Sequence, residues 1–276
     1  MKKLKDINEM KFTKNGFALL RSFLDETSCD LIRSEIEATI NSGVSGACIR
    51  PNNTLHLLQF DHEIIRIVFG KPERLKKLKK QVAAKDLRWI SGYISSKEPF
   101  SPPLWWHQDW WCWNHEISFR KDAAQVALLI YMQSTTLKNG ALRIIPSSHH
   151  SHHHLNKFRD ERNSQENEYE LDHPLMSASP DQFSPSIQKG DAIVIDYRLL
   201  HGTEGNQSAF RRDCIILNFT PNWVCLPQEI KSHLAGHMCQ PKNITQFSSK
   251  DCSYFNLLPE FSGEKKIMTV SLFPSD

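Results

Sequence analysis

No apolar run in this 276-residue chain approaches the roughly 18 residues that a membrane-spanning helix needs, so no span is expected. The opening Met1-Lys2-Lys3-Leu4-Lys5-Asp6-Ile7-Asn8-Glu9 is basic but lacks the apolar stretch of a secretion signal, which predicts a cytoplasmic protein. No Cys-x-x-Cys pair occurs among Cys29, Cys48, Cys112, Cys214, Cys225, Cys239 and Cys252, and their number is odd. That argues against a disulfide framework and a cysteine zinc site, and predicts reduced thiols. An excess of one charge is also missing. With 34 basic and 31 acidic residues the net charge is +3, too even to imply a nucleic-acid partner. The basic cluster from Lys71 to Lys80 reads as a solvated helix face. No internal repeat is evident.

What is present is a soluble composition, 39% hydrophobic and 24% charged, in a chain long enough for one domain, 1–276, with a sizeable core. Asn15-Gly16-Phe17-Ala18-Leu19-Leu20 reads as a turn into a strand. Ile32, Ile36 and Ile40 recur every four residues across 25–42, ahead of Gly43, which predicts an amphipathic helix. Two further helices fit 60–82, with Gly70 closing the first and Pro72 opening the second. The first third is therefore expected to be helix-rich. From Leu87 onward short β-prone runs take over, at 87–94, 126–132, 142–145, 192–197 and 214–219, separated by turns such as Asn139-Gly140 and Lys189-Gly190-Asp191. This pattern predicts a sandwich or jelly roll with flanking helices. The polar stretch 149–185 reads as a long loop, and a C-terminal extension follows about residue 223.

Five of the seven tryptophans crowd into Leu104-Trp105-Trp106-His107-Gln108-Asp109-Trp110-Trp111-Cys112-Trp113. Residues two apart in a strand point to one side, so His107 and Asp109 can reach one metal while Gln108 faces away. Alone, His-x-Asp is a weak motif. A turn and an apolar strand from Gly190 end in Leu200-His201-Gly202-Thr203, which offers a second imidazole. Two histidines and one carboxylate on one face of an iron leave open positions for a co-substrate and dioxygen, as in non-haem Fe(II) oxygenases.

Further pieces occur in a fixed order: Lys97-Glu98-Pro99, the His107-Gln108-Asp109 run, Asn139-Gly140-Ala141-Leu142-Arg143-Ile144-Ile145-Pro146-Ser147-Ser148-His149, Lys189-Gly190-Asp191, His201-Gly202-Thr203-Glu204-Gly205-Asn206 and Arg211-Arg212. Over roughly 15–222 the chain resembles the phytanoyl-CoA dioxygenase family of Fe(II)/2-oxoglutarate oxygenases. The resemblance implies a double-stranded β-helix core, of cupin-like jelly-roll type, with Fe(II) held by His107, Asp109 and His201. It implies 2-oxoglutarate and O2 as co-substrates, and hydroxylation of a small organic molecule with release of succinate and CO2. It also implies an arginine on the far carboxylate of 2-oxoglutarate, a role suited to the planar guanidinium. Arg212 is favoured over Arg211, because the family has a small residue two positions on and an aromatic seven on, as Cys214 and Phe219 are. Thr203 and Tyr93 are expected beside the co-substrate. Trp110, Trp111 and Trp113 are candidates to touch substrate, with core packing as the alternative for each. Related halogenases replace the carboxylate with a small residue, so Asp109 favours hydroxylation. One departure is Ser147, where the family usually has glycine in its Pro-Gly-Ser-His turn.

The same machinery could instead perform desaturation, epimerisation or cyclisation. A catalytically silent ligand-binding or iron-sensing relative is the rival from another class; the intact ligand set and both arginines argue against it. Three other features read blandly. The histidine-rich run 149–154 is expected to be a flexible polar loop. His233 and His237 have the spacing of a zinc-protease pair, but Leu234 stands where the catalytic glutamate belongs. Cys112, with no base nearby in sequence, reads as a packing residue.

Overall fold

The chain opens with α1 (Phe12–Asn15), β1 (Phe17–Leu20), α2 (Glu26–Ser42), the hairpin strands β2 (Ala47–Arg50) and β3 (Asn53–Leu58), then α3 (Glu63–Phe69) and α4 (Pro72–Gln81). The strand-rich part follows as β4 (Arg88–Lys97), β5 (Leu104–His107), β6 (Val126–Tyr131), β7 (Leu142–Ile144), β8 (Ala192–Asp196), β9 (His201–Thr203) and β10 (Arg212–Thr220), closed by α5 (Gln228–Ala235). This computed structural model describes residues 11–43, 47–50 (backbone only), 53–158, 169–241 and 254–271. Cys252 lies outside the described residues. No described helix is long and apolar enough to cross a membrane.

Two antiparallel sheets form the jelly-roll core. The larger has the order β1-β8-β6-β10-β4-β3-β2, the smaller β5-β9-β7. The central strands are apolar on both faces because both faces are covered. Leu128, Ile130, Val194, Ile215 and Leu217 pack in the cluster that holds Ile32 and Ile36 of α2 and Ile64, Val68 and Leu78 of α3 and α4. Ala127, Leu129, Ile193 and Ile195 point the other way, into the cluster of Trp110, Trp111, Leu142, Ile144 and Ile230. The iron-motif segment therefore lies on the inner face, between the sheets.

The helices start and stop where expected. Asp25 caps α2 by accepting the Ser28 N–H at 2.9 Å, and its other oxygen binds Lys71 and Arg74 at 2.7 Å, tying α2 to α4. These contacts hold the Asp25 carboxyl well below the usual carboxylate range. Gly43 ends α2 in the left-handed region, and Pro72 opens α4. The hairpin β2–β3 is an addition to the helix-rich first third that the sequence reading passed over; it pairs with β4 and widens the larger sheet by two strands.

The histidine run is not the flexible loop expected of it at its start. His149 is buried against the turn between α1 and β1, where a Cβ on Gly16 would come 2.7 Å from its Nδ1. Burial pushes the His149 imidazole down to about 4, so it is neutral in the fold and protonates near 6.5 once unfolded. The stability tied to this neutral ring is full above about pH 6.5 and is lost as pH falls toward 4. The urea midpoint should therefore drop across that window, and His149→Gln should flatten part of the slope; an equally steep profile in the variant would exclude His149 as a source.

Candidate metal centre and cavity

The strand pairing that builds the smaller sheet sets His107 of β5 directly across from His201 of β9. Their ring centroids lie 4.2 Å apart. Asp109, just past the end of β5, turns its carboxylate to both: Oδ1 is 3.7 Å from His107 Nε2 and Oδ2 is 3.5 Å from His201 Nε2. Each imidazole is oriented from behind by the carbonyl two residues earlier, His107 Nδ1 on Trp105 O at 2.9 Å and His201 Nδ1 on Leu199 O at 3.0 Å. With the proton held at Nδ1, both Nε2 lone pairs face the carboxylate. One ligand atom from each residue falls within 4.8 Å of the others. The 3.7 and 3.5 Å carboxylate–imidazole separations fall within the roughly 4.2 Å that two bonds of about 2.1 Å to one ion can span, and two neutral imidazoles with one carboxylate suit a divalent transition metal. The residues fit the metal.

The turn that delivers His201 is fixed by a buried ion pair. Arg198 binds Asp196 through Nε and Nη2 at 2.9 and 2.7 Å, and its Nη1 donates to the carbonyls of Ser118 and Arg120. Gln108 faces away from the triad, as expected, and its amide donates to Arg198 O.

The triad opens into a cavity of about 610 Å³. Thr203, Tyr93, Arg212, Trp110 and Trp111 all line it. Arg211 points the other way, bound to Glu37 and Asp213. Arg212 is 2% exposed, its guanidinium sits 5.5 Å from the Tyr131 ring, and its Nε is buried without a hydrogen-bond partner. No carboxylate among the described residues pairs with it. Beside it, Lys97 donates to Pro102 O at 2.7 Å, and burial followed by the charges of Arg212 and Arg143 pushes its ammonium down to about 7. This end of the cavity is built for an anion.

Trp113 is the exception among the expected site residues. The chain turns after Cys112, which bridges to Ser271, and carries the Trp113 ring toward Phe119, 6.3 Å away, in the core beneath the cavity. It does not line the cavity wall. Cys112 is buried, as a packing residue should be. In the other direction, sequence reasoning missed His233 on α5 and His237 just beyond it, both of which line the cavity. His233 stacks on Trp111 with centroids 3.8 Å apart, and His237 Nε2 is 3.1 Å from the Tyr93 hydroxyl. The signal in the sequence is their four-residue spacing; Leu234 in place of a glutamate tells only against a zinc-protease site.

A family model for phytanoyl-CoA dioxygenase matches residues 12–214. The chain belongs to the phytanoyl-CoA dioxygenase family. Two curated proteins resemble it in sequence: a probable alpha-ketoglutarate-dependent hypophosphite dioxygenase of Stutzerimonas stutzeri, 26% identical over 54% of this chain, and an L-proline trans-4-hydroxylase of Streptomyces griseoviridis, 27% identical over 45%. The matches span 50% of the length of each. The crystal structure of HygX from Streptomyces hygroscopicus with nickel and 2-oxoglutarate bound superposes with a TM-score of 0.59 at 17% identity, over 76% of this chain and 84% of that one. That likeness is one of fold.

Removing Arg198 would strand the Asp196 carboxylate in the interior. Arg198→Met should cost about 3–5 kcal/mol in urea unfolding, as breaking one side of a buried pair does. A loss under about 1 kcal/mol would mean that the pair does not hold the turn before His201.

Proposed function

We propose that the protein is an Fe(II)- and 2-oxoglutarate-dependent oxygenase that hydroxylates a small organic molecule, with release of succinate and CO2. The observation that carries this reading is the meeting, in one cavity, of a His107-Asp109-His201 donor set with a buried arginine that lacks an acidic partner among the described residues. His107 and His201 would hold the metal through Nε2 and Asp109 through its carboxylate. Arg212 would grip the far carboxylate of 2-oxoglutarate, with the Thr203 hydroxyl beside it and Tyr93 on the same wall. Bound Fe(II) with 2-oxoglutarate supplies dioxygen activation for attack on a C–H bond. Trp110 and Trp111 would shield that reaction from water and meet the substrate. A carboxylate at 109 occupies the position that a halide would need, which favours hydroxylation. The five cysteines whose side chains are described are all free, which suits a reducing compartment and a cytoplasmic setting.

Anaerobic addition of Fe(II) and 2-oxoglutarate should give the weak visible charge-transfer band of a metal-chelated 2-oxo acid. Asp109→Ala and His201→Ala should abolish the band and turnover; both keep the histidines of 149–154, so they report on the triad alone. No band in folded wild-type protein would favour a silent relative.

Arg212→Met should weaken 2-oxoglutarate binding at least tenfold, about 1.4 kcal/mol, whereas Arg211→Met should change it less than twofold. The reverse ranking would move the anchor to Arg211.

A further inference from the structure

The cavity is larger than a metal and a five-carbon diacid require, and the remainder of its wall has a definite chemical character. Once Asp109 and the two histidines are assigned to the metal and Arg212 to 2-oxoglutarate, no lysine, arginine, aspartate or glutamate is left among the described lining residues. A charged substrate group entering here would give up its water without meeting a counter-charge, which is strongly unfavourable. The wall offers instead flat apolar surface and neutral hydrogen-bonding groups.

The polarity of those groups follows from their partners. His233 Nδ1 accepts the Met268 N–H at 2.9 Å, and His237 Nδ1 accepts the Cys239 N–H at 3.1 Å. A nitrogen that accepts a backbone N–H carries no proton, so each neutral ring holds its proton at Nε2. Both histidines are therefore donors: His237 donates to the Tyr93 oxygen, and His233 presents Nε2–H from a ring that lies at 20° to Trp111. Burial lowers both imidazoles below their ordinary range, His237 to about 4, which keeps them uncharged at neutral pH. Trp110 adds apolar surface beside the His233–Trp111 stack, its ring tilted by 40° to that of Trp111 with centroids 5.4 Å apart.

We propose that His233, His237, Tyr93 and the Trp110–Trp111 pair form a recognition wall that selects an uncharged substrate with a flat apolar body and a hydrogen-bond-accepting oxygen. This rests on the oxygenase reading, since it assigns the charged residues of the cavity to the metal and the co-substrate.

Three probes on one flat skeleton test it: 1-naphthamide, 1-naphthoate and 1-naphthylmethylammonium, which are neutral, anionic and cationic at pH 7.5. Binding is measured by anaerobic equilibrium dialysis with protein loaded with Fe(II) and saturating 2-oxoglutarate, which keeps naphthoate from Arg212. The amide should bind at least tenfold more tightly than either ion. His237→Phe should weaken the amide at least fivefold, and His237→Gln, which keeps a donor, should restore most of that loss. An amide that binds no more tightly than the ions overturns the proposal, and so does an amide affinity unmoved by His237→Phe. Should the phenylalanine variant fail to fold, the wild-type ranking decides alone. The visible band recorded on the same loaded sample separates the two readings: its absence counts against the oxygenase, whereas a band with the wrong probe ranking counts against the recognition wall only.

Discussion

The antiparallel pairing of β5 with β9 is the constraint on which the site depends. It places His107 opposite His201, and because the carbonyls of Trp105 and Leu199 each hold an Nδ1 proton, both rings turn the same nitrogen toward Asp109. A slip of one residue in this pairing would send one imidazole to the opposite face of the sheet. The register is secured from outside the ladder. Arg143 of β7 reaches across to the carbonyls of Leu104 and Met176 while its guanidinium lies 4.5 Å from the Trp106 ring centroid, and Gly202 leaves room for it, since a Cβ there would stand 3.1 Å from Arg143 Nε. The buried Asp196–Arg198 pair fixes the approach to His201. Packing and charge burial thus converge on two backbone positions.

The apolar faces serve the chemistry as well as the stability. Both sides of the larger sheet are covered, so the inner face can give its alternate positions to the cavity without exposing the core. Along β10, Arg212, Cys214, Ile216 and Asn218 line the cavity, while Ile215, Leu217 and Phe219 pack against the helices. A guanidinium with no acidic partner among the described residues, held among such walls, attracts an anion far more strongly than one in water would.

That alternation explains how much of the site was legible. Arg212 is preferred over Arg211 on the family's spacing to Cys214 and Phe219; in the fold Arg212 shares the cavity face of β10 with Cys214, whereas Arg211 shares a face with Asp213 and binds it. The His107-Asp109-His201 grouping was legible because each residue sits in or beside a short run with its own turn signals. Three features were not. The β2–β3 hairpin is short, and of its leucines Leu55 and Leu57 share a half-buried face while only Leu58, on the other face, enters the core, so its pattern was lost between two strong helices. His233 and His237 have a legible four-residue spacing, but their contacts with Trp111 and Tyr93 come from tertiary placement, which that spacing does not encode. Trp113 obeys the turn after Cys112 rather than the strand rule that would keep it beside Trp111.

Ser147 shows how a departure from a family pattern can be accommodated. Its φ of +70° is the left-handed conformation for which glycine is the natural choice, and a serine there carries backbone strain. The serine gains contacts that glycine could make only in part. Its N–H binds Asn15 O and its hydroxyl binds Lys14 O, both at 3.0 Å, tying the turn to the end of α1. The next residue, Ser148, accepts the Leu200 N–H at 2.9 Å and donates to Ile145 O. The turn therefore links the N-terminal segment to the residue immediately before His201. The side-chain bond made only by serine offsets part of the strain, and the same fixed turn helps to keep His201 in place.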